Sequence, residues 1–193
     1  MPPKRANEPA AAGETRWYAM RDLSRPNAKN AAYEALSALP ETEGRVFTPM
    51  VQRVYRQGGR RTVRLVPYVR DLLFVRQSRE VLDPIVQRME LLQYRFVRGG
   101  RQGEAMTVHE EEMDRFIRAT KAAARVEYYA TDDVPPSIYG RRVRIVGGEL
   151  DGLEGRLMSR RGSRRKRIIV ELEECRLAAA VETDAEYIEI VRQ

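Results

Sequence analysis

The sequence of 193 residues contains one cysteine and one histidine, and this scarcity excludes several kinds of protein. A lone cysteine, Cys175, cannot form a disulfide within the chain, which is typical of a reducing compartment. Any histidine-containing catalytic triad would have to use His109, the single histidine, and no zinc-ligand spacing is present. The pattern of a phosphate-binding loop is also missing. We therefore expect no catalytic site, no metal and no cofactor.

Long apolar runs are missing as well, because no segment approaches the roughly 20 residues needed to span a bilayer. Residues 1–15 are rich in proline, alanine and charge, and they lack the apolar segment of a secretory signal. We interpret them as a disordered lead. A cytoplasmic monomer with no membrane partner is the expectation.

Charge, in contrast, is abundant. Charged residues make up 33% of the chain, and the formal net charge is +7. Hydrophobic residues make up 42%, which is enough for a packed core. A basic balance favours polyanionic partners such as nucleic acid, although it also serves solubility alone.

Residues 16–133 show the pattern of a mixed α/β domain. Gly58 and Gly59 stand between two β-branched runs, which predicts a β-hairpin. Pro84 either kinks a helix that Ser78 caps, or starts a helix that Asp83 caps. Strands are predicted at 17–20, 46–55, 62–66, 72–75, 94–97 and 126–129, and helices at about 28–39, 81–89 and 113–124.

A change of pattern follows residues 134–139, where two prolines indicate a stiff linker. In residues 140–193, short apolar runs recur about every ten residues and helical periodicity is missing. About five short strands in such a span predict a small β-barrel.

Two segments resemble known families. Residues 140–157 read GRRVRIVGGELDGLEGRL and resemble a KOW motif, in which a glycine-containing turn joins two strands. Gly152 and Gly155 are expected to adopt backbone conformations that a side chain would strain. The positions that match the motif are Gly140, Val143, Ile145, Gly152 and Gly155.

The N-terminal domain resembles that of NusG-type transcription elongation factors, called the NGN domain. The matching segments are RWY at 16–18, which opens a strand, and LLFVR at 72–76, which follows the predicted helix and hairpin. The implied fold class is α+β: an NGN-like mixed α/β sandwich with about three helices, followed by a KOW (SH3-like) β-barrel of about five strands. Residues 92–98 and 106–118 are similar to the UpxY class of NusG-like antiterminators, a class related to RfaH.

The resemblance implies that the N-terminal domain binds the clamp helices of RNA polymerase through an apolar patch. The matching positions are Val69, Leu72 and Phe74, and Tyr18 is expected to border the patch. The alternative for each position is an ordinary place in the core. One departure is that residues 69–71 read Val-Arg-Asp, where the family usually has an aromatic-Pro-Gly or Pro-Asn step.

The resemblance also implies contact with the DNA and RNA of the elongation complex. Residues 141–167 hold ten basic and three acidic residues, whereas 168–193 hold two basic and seven acidic ones. This concentration favours phosphate contact by a basic loop, and a solvated turn is the alternative. The candidate nucleic-acid contacts are Arg25, Lys29, Arg56, Arg60, Arg61, Arg160, Arg161, Arg164, Arg165, Lys166 and Arg167.

Three functions follow as hypotheses. UpxY-class and RfaH-like proteins keep polymerase elongating through long operons, and the KOW domain recruits a ribosomal protein, rRNA or the termination factor Rho. The first alternative is a general NusG that acts with Rho. The second is a ribosome-associated KOW RNA-binding protein, against which the N-terminal domain argues.

Overall fold

The computed structural model of the protein describes residues 13–25, 28, 31–123, 125–134, 139–158, 166–183 and 187–191. The chain divides into two compact units between Val108 and His109. The first unit contains β1 (Arg16–Asp22), α1 (Ala32–Ser37), β2 (Val46–Phe47), β3 (Met50–Gln57), β4 (Arg60–Pro67), β5 (Leu73–Gln77), α2 (Arg79–Arg88), β6 (Leu92–Tyr94) and β7 (Thr107–Val108). The second contains α3 (Glu110–Ala122), β8 (Val126–Ala130), β9 (Tyr139–Val146), β10 (Glu154–Met158), β11 (Lys166–Leu172), β12 (Leu177–Thr183) and β13 (Tyr187–Ile190).

The main sheet of the first unit has the strand order β2-β5-β1-β6, and β7 also pairs with β1. All of these pairings are antiparallel. The apolar run that begins at Leu72 forms β5, an interior strand between β1 and β2. Because side chains alternate across a strand, Leu73 and Val75 face one side of the sheet and Phe74 faces the other.

One face of this sheet packs against both helices of the unit. Tyr18 and Met20 of β1 lie in one apolar cluster with Leu73 and Val75 of β5. The helices contribute side chains that are almost completely buried, and burial of each leucine or isoleucine among them stabilises the fold by about 1.5–3 kcal/mol. These helix residues are Ala32, Leu36, Leu82 and Ile85.

The first helix is shorter than the sequence predicted, and its first turn is held by side chains that precede it by several residues in the sequence. No side chain caps α1 at Ala31. The buried carboxylate of Asp22 instead accepts a hydrogen bond from the Tyr33 N–H at 3.2 Å, and the Ser24 hydroxyl accepts one from the Ala32 N–H at 3.2 Å. Asp22 at the end of β1 and Ser24 shortly after it therefore supply acceptors for the first turn of α1.

The second helix follows the first of the two alternatives left by Pro84. It begins at Arg79, directly after Ser78, and Pro84 lies inside it. Ser78 has extended backbone angles at the N-cap, but its side chain makes no capping hydrogen bond. The proline removes one backbone donor from this helix, which nevertheless continues to Arg88.

The second unit is built on a six-stranded antiparallel sheet with the order β13-β9-β10-β11-β12-β8. The helix α3 packs on β11 and β12. The strand at 126–129 was predicted as part of the domain at 16–133, but β8 pairs with β12, with Val126 opposite Val181 and Ala130 opposite Leu177. The strand β12 is buried and apolar, and β8 covers the edge that would otherwise lack a partner.

The strand β8 belongs by its pairing to the sheet of the second unit. The division into units precedes α3, whereas the sequence suggested a linker at 134–139. Among the described residues no pairing joins β13 to β8, so the six-stranded path is open and a closed barrel is not found. Within the part of the chain that the structure describes, no helix is long and apolar enough to cross a membrane.

Candidate nucleic-acid interface

The strands β3 and β4 form a hairpin that is a two-stranded sheet of its own. Eight residue pairs join the strands, from Met50 opposite Pro67 to Gln57 opposite Arg60. The turn consists of Gly58 and Gly59, whose φ angles are 57° and 77°. Positive φ at both central residues is what a type I′ hairpin turn requires, and glycine adopts it without strain. The predicted hairpin is therefore confirmed.

The hairpin is strongly basic. Residues 50–67 contain five arginines and no acidic residue. All five arginine side chains are exposed, and none forms an ion pair with another described residue. Arg53 lies opposite Arg64, and Arg56 lies opposite Arg61. Because like charges directly opposite each other destabilise a strand pair, a bound anion would relieve this repulsion.

The other predicted basic positions are more scattered. Arg25 is exposed, and its carbonyl accepts a hydrogen bond from the Ala28 N–H at 3.1 Å. Lys166 is exposed at the start of β11. The remaining candidates, Lys29, Arg160, Arg161, Arg164 and Arg165, lie outside the described residues.

Arg167 was predicted to contact nucleic acid, and the structure places its side chain in the interior of the sheet. Its side chain is only 7% exposed. Its guanidinium forms ion pairs with Glu182 at 2.7 Å and with Glu127 at 2.9 Å. Glu182 lies on β12, the strand next to β11, and Glu127 lies on β8, the strand beyond β12. Arg167 therefore links three strands and leaves little accessible surface for a phosphate.

The predicted polymerase patch is not an exposed patch in the structure. Phe74 is fully buried and Leu72 is 3% exposed. The ring of Phe74 lies 6.3 Å from that of Phe47 on β2. Tyr18 does not border these side chains, because it belongs to the cluster on the opposite face of the sheet. Val69 is half-buried, so it alone of the four has considerable accessible surface.

The unusual sequence at residues 69–71 still forms a turn. The Leu72 N–H donates to the Val69 carbonyl at 3.2 Å. The Asp71 carboxylate forms ion pairs with Arg95 at 2.9 Å and with Arg21 at 3.7 Å. The Arg95 guanidinium also donates to the Asp71 carbonyl at 3.2 Å. Charged side chains therefore hold this turn where the family usually has proline.

The glycines of the KOW-like segment serve two different purposes. Gly152 has φ of 76°, the left-handed conformation that the sequence predicted. Gly155 does not have positive φ, so the reason given for it was wrong. A Cβ atom at Gly155 would lie 2.5 Å from the Ile169 carbonyl oxygen and would also overlap Ile168. Gly155 is thus required by the close approach of β11.

The same holds at the start of the segment. A Cβ atom at Gly140 would lie 2.5 Å from the carbonyl oxygen of Leu157 on β10. Val143 and Ile145, on the same strand as Gly140, are buried. The alternation that resembled a KOW strand therefore directs these two side chains into the interior of the second unit.

We expect Gly155→Ala to lower the free energy of unfolding of the second unit by about 1–3 kcal/mol, because the added methyl group overpacks the β10–β11 contact. Urea unfolding followed by far-UV circular dichroism measures this change. Gly152→Asn is the matched control, because asparagine tolerates left-handed angles and no atom lies within 4 Å of the added Cβ. Equal stability of the Gly155→Ala and wild-type proteins would contradict the prediction.

The sequence interpretation missed three exposed residues of the hairpin: Arg53, Tyr55 and Arg64. They lie on β3 and β4 away from the Gly-Gly turn. A signal for them was present, because counting outward from Gly58-Gly59 gives the strand register, and the register pairs Arg53 with Arg64.

The fold defines a two-unit α+β protein in which the first unit carries a separate basic hairpin. A model of the family described as "Transcription termination factor nusG" matches residues 15–117, which is more than half of the chain. The chain therefore belongs to the NusG family. A search of curated proteins found no match to it. The matched region ends inside α3, so the KOW resemblance rests on residues 140–157.

Proposed function

We propose that the protein is a specialised antiterminator, a transcription elongation factor that binds RNA polymerase and keeps it elongating through long operons. The observation that carries the proposal is the NusG family match over residues 15–117, which covers the whole first unit from β1 onward. The similarity of residues 92–98 and 106–118 to UpxY-class proteins supports the specialised role. In this proposal the protein carries no catalytic chemistry of its own.

The basic hairpin supports contact with the DNA or RNA of the elongation complex. Five exposed arginines on a separate two-stranded sheet can approach a phosphate backbone. Phosphate contacts of this kind position a protein without reading sequence, and they weaken as salt increases. The hairpin would therefore orient the first unit on nucleic acid that the polymerase already holds.

The contact with the polymerase clamp helices is proposed for the first unit. Of the four residues predicted to contact polymerase, Val69 has the accessible surface that a direct contact needs. The other three, Leu72, Phe74 and Tyr18, are buried as core residues are. Their proposed part is to hold the sheet in which the turn at 69–71 leads into β5. The pairing of Asp71 with Arg95 fixes that turn from within the unit.

The second unit is proposed to recruit a partner in the manner of a KOW domain. Its support is the KOW-like sequence of residues 140–157, with Gly152 at a left-handed turn and Gly155 at a close strand contact. A ribosomal protein, rRNA and Rho are the candidate partners. A linker at 134–139 and a KOW domain at 140–193 remain the proposed organisation, although β8 adds a strand to that sheet.

A general NusG that acts with Rho is the second candidate. The description of the matching family names transcription termination, and this observation favours it. A ribosome-associated RNA-binding protein is the rival from another class. It would bind ribosomal subunits in preference to polymerase.

A single-round elongation assay with purified core RNA polymerase distinguishes these functions. We expect the protein to bind polymerase and to increase read-through at pauses and at Rho-dependent terminators. Binding with more termination in the presence of Rho would identify the general factor instead. No binding to polymerase at moderate salt, together with co-elution with ribosomal subunits, would overturn the proposal.

A further inference from the structure

The strand β13 forms one edge of the six-stranded sheet in the second unit. It pairs with β9, with Ile190 opposite Val143. The Val191 N–H donates to the Arg142 carbonyl at 3.1 Å, so it points toward β9. Because the backbone groups of successive residues point to opposite sides of a strand, those of Ile188 and Ile190 point away from β9. Within the described part of the chain these outward groups have no hydrogen-bond partner.

The side chains of this edge continue an apolar face of the sheet. Ile188 lies opposite Ile145, and Ile190 lies opposite Val143. The two β9 residues are almost completely buried, but Ile190 at the edge is 54% exposed. A strand added beside β13 would pair with the outward backbone groups and would also cover the isoleucine side chains.

The opposite edge of the sheet, β8, is less accessible. Its residues from Val126 to Ala130 are all half-buried. The ring of Tyr128 lies 6.3 Å from that of Phe116 on α3, which precedes the strand. The edge formed by β13 is therefore the better place for a further strand.

A groove of about 920 Å³ lies beside the end of β13, and its lining is basic. The charged residues of the lining are Arg141, Arg142, Arg156 and Glu189. Arg142 forms an ion pair with Glu154 at 3.1 Å. Arg141 is exposed and forms no ion pair with any residue that the structure describes. A carboxylate is the natural complement of this guanidinium.

We propose that β13 is a docking site for an extended segment of a partner protein, which adds to the sheet as a further strand. The segment would have apolar side chains at alternate positions, beside Ile188 and Ile190, and a carboxylate at the end that reaches Arg141. In this mode of recognition the main-chain hydrogen bonds supply affinity, and the alternate side chains supply specificity.

A second copy of the chain is a poorer occupant of this edge. The antiparallel register that places Ile188 opposite Ile190 of a second copy also places Glu189 opposite its own equivalent. Like charges directly opposite each other destabilise a strand pair. The basic groove is equally unsuited to a chain whose net charge is +7, and it favours an acidic partner.

This inference rests on the proposed function, in which the second unit recruits a partner. It adds the edge that the partner would occupy and the chemistry of the segment that would fit it.

Amide hydrogen exchange followed by NMR on the full, isotope-labelled chain tests the proposal. The probes are two synthetic peptides of alternating valine and threonine, with a pair of glutamates at the amino end of one and at the carboxyl end of the other. In the free protein, the Ile188 and Ile190 amides should exchange faster than the Val191 amide. Saturating peptide should slow exchange at Ile188 and Ile190. Unchanged exchange at both positions with either peptide would overturn the inference.

Ile190→Pro removes the outward N–H, and proline is tolerated on an edge strand where the N–H faces away from the sheet. We expect this variant to bind the better peptide at least about fivefold more weakly. Ile190→Val is the matched control, because it keeps the N–H and an apolar side chain, and it should bind as the wild type does. Equal peptide affinities for the folded proline and valine variants would contradict the strand-addition model.

A second pair of variants tests the charge. We expect Arg141→Glu to weaken peptide binding about tenfold, because it places a carboxylate opposite the glutamates of the peptide. Lys121→Glu makes the same change in net charge at an exposed position on α3 and should leave binding unchanged. Equal losses in the two variants would show that only net charge matters, and the assignment of the Arg141 end would be wrong.

Further measurements on the same proteins separate the alternatives. If core polymerase binds the protein while neither peptide does, the inference fails and the proposed function stands. If a peptide protects the β13 amides while polymerase does not bind, the docking site stands and the proposed function fails. A dimer in analytical ultracentrifugation that Ile190→Pro abolishes would assign the edge to a second copy and overturn the inference.

Discussion

Replacing Phe74 by alanine is expected to lower the free energy of unfolding of the first unit by about 3–5 kcal/mol. The side chain is completely buried on the interior strand β5, and its ring lies beside that of Phe47. Removal of the ring loses its transfer free energy and leaves a cavity that the surrounding sheet can fill only in part. Few single substitutions in this unit should have a larger effect.

The only tryptophan of the chain makes this measurement specific. Trp17 is buried on β1, in the first unit, so urea unfolding followed by its fluorescence reports on that unit. Phe96→Ala is the control for loss of a phenylalanine ring, because Phe96 is 56% exposed. Its effect should stay within about 0.5 kcal/mol. Equal unfolding free energies for Phe74→Ala and Phe96→Ala would refute the assignment of Phe74 to the core.

The same variant tests the role that the NusG resemblance gave to Phe74. Because the side chain is buried, we expect its loss to leave polymerase affinity per folded molecule unchanged. If Phe74 instead contacted polymerase directly as a buried interface anchor, its loss would weaken binding by about 2–4 kcal/mol. Binding is therefore measured below the temperature at which the variant unfolds, with the folded fraction taken from Trp17 fluorescence.

Local signals predicted much of the first unit correctly. The apolar run at 72–75 indicated the strand that forms β5, the Gly-Gly pair located the hairpin, and strand alternation places Phe74 on the face opposite Leu73 and Val75. The same alternation could not show that both faces would be buried. Burial depends on what packs against a strand, and that is determined by residues far away in the sequence.

The second unit shows the same limit more clearly. The segment that forms β8 reads as a strand, but nothing within it specifies a partner. Its pairing with β12 joins Val126 to Val181, which are 55 positions apart in the sequence (181 minus 126). The run of basic residues that ends at Arg167 is equally compatible with a solvated loop and with a strand. The two glutamates that pair with Arg167 lie on β8 and β12, outside that run.

Arg167 is therefore the subject of the second large prediction. We expect Arg167→Ala to lower the free energy of unfolding of the second unit by about 3 kcal/mol or more, because it removes the cation from a buried ionic group. The side chain of Glu182 is only 10% exposed, and that of Glu127 is 27% exposed. Far-UV circular dichroism during urea unfolding measures the loss. Asp132→Asn is the control, since it breaks the exposed ion pair with Arg176 and should change stability by less than about 1 kcal/mol.

The pH dependence of the stability distinguishes loss of this ion pair from simple loss of packing. The Tyr129 hydroxyl, which donates to Glu127 at 2.6 Å, together with Arg167, holds the pKa of Glu127 below its usual value of 4.5. Stability from a lowered carboxyl pKa is fully present above pH 4.5 and is lost as the pH falls through the folded-state pKa. Without Arg167 the folded-state pKa moves toward 4.5, so the stability of Arg167→Ala should fall less between pH 5 and pH 3 than that of the wild type. Parallel pH profiles for the two proteins would show that Arg167 stabilises the sheet through packing alone, and the ion-pair account of the link between β8, β11 and β12 would be wrong.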